Sequence, residues 1–167
     1  NRKVNVLDVF TVTKHDFNQL QDYQKLLIIA TNECGRRRYR KCNDKIYARK
    51  YVNGVDVHVY LEKCTIFDYV SSFGSNYASE YFLLVHSRPD LVKNVARALE
   101  KSNHAMLPVL KEDRTIFSCK NGIYNCTTRT FTAHNEVEDD VVSSNYFDCV
   151  VNWDELSPYV SYEQDFE

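Results

Sequence analysis

Glycine is scarce in this sequence, with four residues in 167. None falls in the Gly-x-x-x-x-Gly-Lys-Ser/Thr spacing whose backbone cradles nucleotide phosphates, which excludes an ATPase site from these residues. No apolar run approaches the ~18 residues of a membrane span, and no signal-like stretch or initiator Met opens the chain. The expectation is a soluble, non-membrane piece of a longer polypeptide. Cysteine is present but unpatterned. The six, at 34, 42, 64, 119, 126 and 149, include no Cys-x-x-Cys pair. Disulfide-rich secreted domains are shorter and denser in Cys, so free thiols in a reducing, intracellular compartment are expected. The one sequon, Asn125-Cys126-Thr127, has no consequence there.

Apolar residues make up 44% of the chain, enough for one domain or a compact domain with an extension. Charge is distributed unevenly. Residues 135–167 hold ten acidic groups and neither Lys nor Arg, leaving 21 basic against 13 acidic residues, net +8, in 1–134. The net charge of −2 therefore hides a basic domain over 1–134 and an acidic extension or linker over 135–167, with a short strand at 147–151. A basic body attracts phosphate, and the acidic end repels it and competes for the same surface.

The pattern predicts an α+β fold, with helices near 17–33, 65–86 and 89–102 packed on antiparallel hairpins at 45–62 and 115–132. A mainly helical fold with the hairpins as excursions is the alternative. Asp16 and Gln19 suggest a cap for the first helix, Phe17, Leu20, Leu27 and Ala30 its periodicity, and Cys34-Gly35 its stop. The second helix is interrupted near Gly74-Ser75. Pro89 suits the first position of the third, whose apolar stripe is Leu91, Val95, Ala98 and Leu99. Asn53-Gly54 and Asn121-Gly122 each suit a two-residue type I′ turn, because Asn and Gly tolerate positive φ with least strain. Around the first turn, Ile46, Ala48, Val52, Val55, Val59 and Leu61 should line an apolar face, where Lys50 falls opposite Val57 and must snorkel or mark an edge. Around the second, Phe117, Cys119, Tyr124 and Cys126 should share one face, and Ser118, Lys120, Ile123 and Asn125 the other.

Catalytic groups are not arranged for any familiar reaction, so no catalytic residue is expected. A two-metal centre needs paired carboxylates, and Asp139-Asp140 diverge on a strand while Asp56 with His58 offers only one. Cys34 and Cys42 flank a cationic stretch, and Cys119 and Cys126 share a predicted face. Diagonal neighbours on a sheet stand about 7–8 Å apart, too far to share one zinc without backbone adjustment. No cofactor or metal is expected, zinc being the one these thiols would suit.

What remains is binding. Arg36, Arg37, Arg38, Tyr39, Arg40 and Lys41 form a run of five cations in six residues, read as a compact loop. Tyr47, Arg49, Tyr51, His58 and Tyr60 should stand on the solvent face of the first hairpin, and Lys93, Arg97 and Lys101 recur every four residues along a helix. With Lys120 they supply cations for phosphates and rings for base stacking, the mixture used for single-stranded DNA.

One segment extends this reading. Ile116-Phe117-Ser118-Cys119-Lys120-Asn121-Gly122-Ile123-Tyr124, with Tyr146-Phe147-Asp148 after it, resembles the stretch preceding the superfamily-three helicase in poxvirus-type viral primase-helicases. The likeness runs over residues 109–148. It implies a linking, collar-like domain between primase and helicase domains, part of a DNA-replication enzyme whose ATPase assembles as a hexamer, at a viral replication site in the host cytoplasm. The domain would be non-catalytic, with single-stranded DNA, the flanking domains and its own copies as partners. Neither primase carboxylates nor a helicase phosphate loop occur in this sequence. A protein-interaction module docking a replication or host factor through the acidic end or a hairpin edge, and a small zinc- or thiol-dependent enzyme, are the rival readings.

Overall fold

Apolar residues three and four apart along 91–99 turn one helical face inward, and the larger core forms around it. In the computed structural model, which describes residues 3–6, 10–76 and 84–164, the elements run β1 (Lys3–Val6), β2 (Phe10–Thr13), α1 (Lys14–Gln19), α2 (Asp22–Arg36), β3 (Arg40–Cys42), β4 (Lys45–Val52), β5 (Val55–Thr65), α3 (Ile66–Asn76), α4 (Pro89–Lys101), β6 (Asp113–Cys119), β7 (Gly122–Asn125), β8 (Thr130–Ala133), β9 (Ser143–Phe147) and α5 (Trp153–Gln164). The class is α+β. The chain divides into two compact units, one of residues 1–48 and 62–110 and the other of 49–61 and 111–167. This division does not follow the change of charge at residue 134.

In the first unit, Leu26, Ala30 and Cys34 of α2, Ile66, Val70 and Phe73 of α3, and Leu91, Val95 and Leu99 of α4 bury together. Pro89 opens α4, where its missing N–H costs nothing. Ala98, expected in the stripe, is only half-buried, and Val92 and Ala96 take its place. The predicted helix over 17–33 is instead two, α1 and α2, separated at Leu20-Gln21, and Gln24 accepts the Gln21 backbone N–H at 3.0 Å where α2 begins. Nor does Gly35 stop α2. The helix ends one residue later in a Schellman-type turn, with Tyr39 N–H bonded to Cys34 O, Arg38 N–H to Gly35 O, and Arg38 itself at φ 58°. Gly35 serves a close approach, since a Cβ there would fall 2.3 Å from Met106 Cε. The expected helix over 65–86 is described as α3 to Asn76, passing through Gly74-Ser75 without a break, and residues 77–83 lie outside the described residues.

The second unit is built on a four-stranded sheet, β8-β7-β6-β9, antiparallel except for the β6–β9 pair. Its hairpin pairs Ser118 with Ile123 and Phe117 with Tyr124. The turn therefore falls at Lys120-Asn121, two residues off the predicted register, although the parity of the faces is kept. Gly122 lies inside β7 because an added Cβ would meet Thr132 O at 2.4 Å and the Phe131 ring at 2.6 Å. Asn121 turns its amide to Val151, donating to its carbonyl at 2.7 Å and accepting its N–H at 2.9 Å. The strand expected at 147–151 is β9, at Ser143–Phe147, and the following chain forms α5.

The far part of the β4–β5 hairpin, residues 49–61, belongs to this second unit. Its turn is type I′ in character, with Asn53 at φ 52° and Gly54 at φ 79°. Beyond the turn, the predicted alternation fails. His58 also takes a left-handed φ, 56°, held by its N–H donating to Asp56 Oδ1 at 2.8 Å. Such a residue kinks the strand and changes which side its successors face. Val57, His58, Val59 and Tyr60 are all buried, and Leu61 is 50% exposed.

Candidate nucleic-acid interface

The arginine-rich run does not form one loop. Arg36 closes α2, Arg37–Tyr39 make the turn, and Arg40 and Lys41 already lie in β3, where successive side chains point to opposite sides. Lys41 points inward. Its Nζ donates to the carbonyls of Leu99 at 2.7 Å, Glu100 at 3.1 Å and Ser102, collecting carbonyls that α4 leaves open at its C-terminus. Burial pulls its pKa below the ordinary lysine value. Arg40 donates to the Tyr39 carbonyl at 3.0 Å, and Tyr39 is itself buried. Lys41 is therefore removed from any surface site, and Tyr39, though largely buried, keeps one side on a cleft beside Arg36 and Arg37.

Arg36 and Arg37 converge on one carboxylate, Glu33, at 2.6 Å and 2.9 Å. Partial burial pushes the Glu33 carboxyl up, and the hydrogen bonds and charges of the two guanidinium groups more than reverse this, leaving it below the ordinary value. With Lys63, whose Nζ lies 5.9 Å from the Tyr39 ring centre, they edge a cleft of about 420 Å3. Three cations face one carboxylate there, so the cleft keeps an excess of positive charge.

The hairpin face expected to be aromatic and basic is mostly interior, a correction that on β5 follows from the kink at His58 and on β4 from the buried partners of Arg49. Arg49 pairs with Asp56 at 3.2 Å, donates to the Asp139 carbonyl and lies 5.0 Å from the centre of the buried Tyr60 ring. His58 is buried, with Nδ1 3.2 Å from Val141 O and Nε2 3.2 Å from His134 O. These groups hold the second unit together. Tyr51 alone of that face is largely exposed, at 55%, with Tyr47 half-buried in the first unit. Lys50, expected to snorkel or mark an edge, lies 4.9 Å from the Tyr146 ring centre, and Lys120 pairs with Asp148 at 3.6 Å.

The stripe on α4 behaves otherwise. Lys93, Arg97 and Lys101 are all exposed, opposite the buried Leu91, Val95 and Leu99. Among the described residues, none of the three forms an ion pair. Two hollows adjoin the stripe within the first unit, one of about 560 Å3 bounded by Tyr23, Arg97 and Lys101, the other of about 280 Å3 bounded by Phe67, Lys93 and Arg97 together with the acidic Asp44 and Glu100. Arg97 borders both. Tyr23 is half-buried and Phe67 46% exposed, so each hollow sets an accessible ring beside cations. Tyr23 and Phe67 were missed as site residues because each reads as an ordinary apolar position of an amphipathic helix, and only packing reveals the cations beside them. The chain matches no family model, no curated protein and no solved structure.

The second unit offers a different surface. Phe117, Tyr124, Phe147, Trp153, Leu156 and Tyr159 bound an apolar cleft of about 420 Å3. The Trp153 ring packs 5.8 Å from Tyr124 and 6.1 Å from Phe131, centre to centre. Cys119 meets Cys149 here, Sγ to Sγ 3.9 Å, and its predicted companion Cys126 follows the end of β7. Among the described residues, no group of three or more His, Cys, Asp or Glu stands ready to hold a metal, and no helix is long and apolar enough to cross a membrane.

Proposed function

We propose that the first unit binds single-stranded DNA along α4, as a non-catalytic part of a viral replicative primase-helicase. The observation that carries the binding is the Lys93–Arg97–Lys101 stripe with an accessible ring, Tyr23 or Phe67, on each side. Solvated cations neutralise successive phosphates and release counterions, and neighbouring rings stack bases without regard to sequence. The cleft at Arg36, Arg37 and Lys63 adds attraction at shorter range. The primase-helicase assignment rests on the sequence likeness over residues 109–148, which also supports contacts with flanking domains and with other copies of the chain.

Fluorescence anisotropy of a labelled oligothymidylate against salt tests this. Replacing Lys93, Arg97 and Lys101 together by Ala should lower the log–log salt slope by about 2, at ~0.7 for each single-strand phosphate that is no longer neutralised. Replacing Arg36, Arg37 and Arg38 should flatten it less, because Glu33 already compensates two of them. An unchanged slope in the α4 variant removes the assignment to this helix. Absence of salt-dependent binding by the parent chain removes the nucleic-acid reading altogether.

A protein-interaction module is the second reading, favoured by the apolar cleft of the other unit. Its rings lie partly open to solvent, Phe147 at 52% and Tyr159 at 72%, which is uncommon for a surface with no partner.

A further inference from the structure

Two thiols of different accessibility meet at one end of β6. Cys119, its last residue, is buried, and Cys149, two residues past the end of β9, is exposed. Their sulfur atoms are 3.9 Å apart. A disulfide needs about 2.05 Å between sulfurs and backbones already close together. The two segments run side by side here, Lys120 N–H donating to Cys149 O at 2.9 Å and Asn121 clasping Val151 by both ends of its amide. The sulfurs can close the remaining ~2 Å by rotation about their side-chain bonds. Among the described residues, no other pair of thiols makes such a contact.

We propose that Cys119 and Cys149 are a reversible dithiol–disulfide site, oxidised by low-molecular-weight disulfides such as glutathione disulfide, at the wall of the apolar cleft. Exposure assigns the order of events. The Cys149 thiolate attacks one sulfur of glutathione disulfide, forming a mixed disulfide and releasing one glutathione thiolate. Cys119 then gives its proton to solvent and attacks the Cys149 sulfur, releasing the second glutathione. One glutathione disulfide is reduced to two thiols as the protein dithiol loses two electrons and two protons. Burial pushes the Cys119 thiol up to about 11, so little of it is thiolate at neutral pH and the second step should quicken as pH rises. Because Cys119 borders the cleft beside Phe147 and Val151, the bridge ties the 147–151 segment to β6 and changes the cleft wall.

The test uses the full reduced chain in glutathione redox buffers under argon, followed by acid quenching, denaturing alkylation and peptide mass mapping. The expected product is a Cys119–Cys149 linked peptide, two hydrogens lighter than its dithiol, reversed by excess reduced glutathione. Cys149→Ser should leave Cys119 alkylatable in the same buffers, and Cys119→Ser should stop at the Cys149 mixed disulfide. Since Cys149 is exposed, its variant should fold even if the Cys119 variant does not. The proposal is overturned if parent Cys149 accumulates as the mixed disulfide without resolving. It is equally overturned if Cys119 links to Cys126, or if both thiols survive a buffer that glutathionylates exposed Cys126.

Discussion

The two units solve the problem of burial in opposite ways. The first, with 15 basic and 10 acidic residues and net charge +5, closes over an apolar core drawn mainly from three helices and turns its cations outward apart from Lys41. The second, with 6 basic and 13 acidic residues and net charge −7, buries His58, His134, Ser118, Ser143 and Arg49 and leaves aromatic and aliphatic side chains at its surface. Ser118 donates to Val57 O at 2.6 Å, and His134 Nε2 to Cys119 O at 2.7 Å. A polar interior of this kind is tolerated where its members find partners, and His134 Nδ1 and Arg49 Nη1, buried with no hydrogen-bond partner among the described residues, leave it little margin when a further partner is removed. The helical unit should therefore accept small changes of packing, and the sheet unit should not.

Glycine replacement gives the largest expected contrast. Gly122→Ala drives a methyl group into the Thr132 carbonyl, and backbone cannot step aside, so the second unit should lose about 3 kcal/mol or more. Gly35→Ala meets the Met106 side chain alone, its flexible Sδ and Cε closest and its Cβ at 3.2 Å, and the gain in helix propensity of about 1 kcal/mol offsets part of the crowding. Denaturant titration separates the two effects, since the single Trp, Trp153, lies in the second unit and its fluorescence reports that unit alone. Equal losses in both variants would break the comparison.

Acid is the next lever. Burial lowers the pKa of His134 below its ordinary 6.5, the Cys119 carbonyl opposing this and His58 adding to it. A depressed histidine pKa means that the unfolded chain binds more protons than the folded one just below pH 6.5. Stability is thus full above that pH and falls as pH drops toward the folded value, at up to ~1.4 kcal/mol per pH unit for one group. The Trp153-reported midpoint should decline between pH 7 and pH 5.5, and His134→Gln should flatten the decline.

The smallest effect falls on the first unit. Arg38 sits at φ 58° in the turn after α2, where Gly is the unstrained choice. Arg38→Gly should raise the stability of that unit by about 1 kcal/mol, read by circular dichroism, with the Trp153 transition unmoved.

Local rules were legible wherever a residue's consequence stays within a few positions. Pro89 opens a helix, and Asn53-Gly54 turns a hairpin, because φ preference acts on the residue that carries it. Asn121-Gly122 carries the same two residues and does otherwise. There a backbone carbonyl from β8 lies against Gly122, and Val151 supplies partners for the Asn121 amide, neither of which is near in sequence. The candidate site divides in the same manner. The spacing of Lys93, Arg97 and Lys101 places them on one exposed side of a helix, as periodicity requires. On β5 of the first hairpin, His58 and Tyr60 were misplaced by one kink, since a single left-handed residue at His58 changes the facing of its successors, whereas Tyr51 on β4 is exposed as expected.

By itself the sequence determined the α+β class and the helical stripe of cations, because composition and short-range periodicity act through backbone geometry alone. Tertiary packing decided which cations reach water, which of two Asn-Gly pairs turns the chain, and which thiols meet. It also drew the acidic C-terminal stretch into one compact unit with residues 49–61 and 111–133. Burial and hydrogen-bond satisfaction depend on partners that lie scores of positions apart in the chain, as Arg49 and Asp139 do.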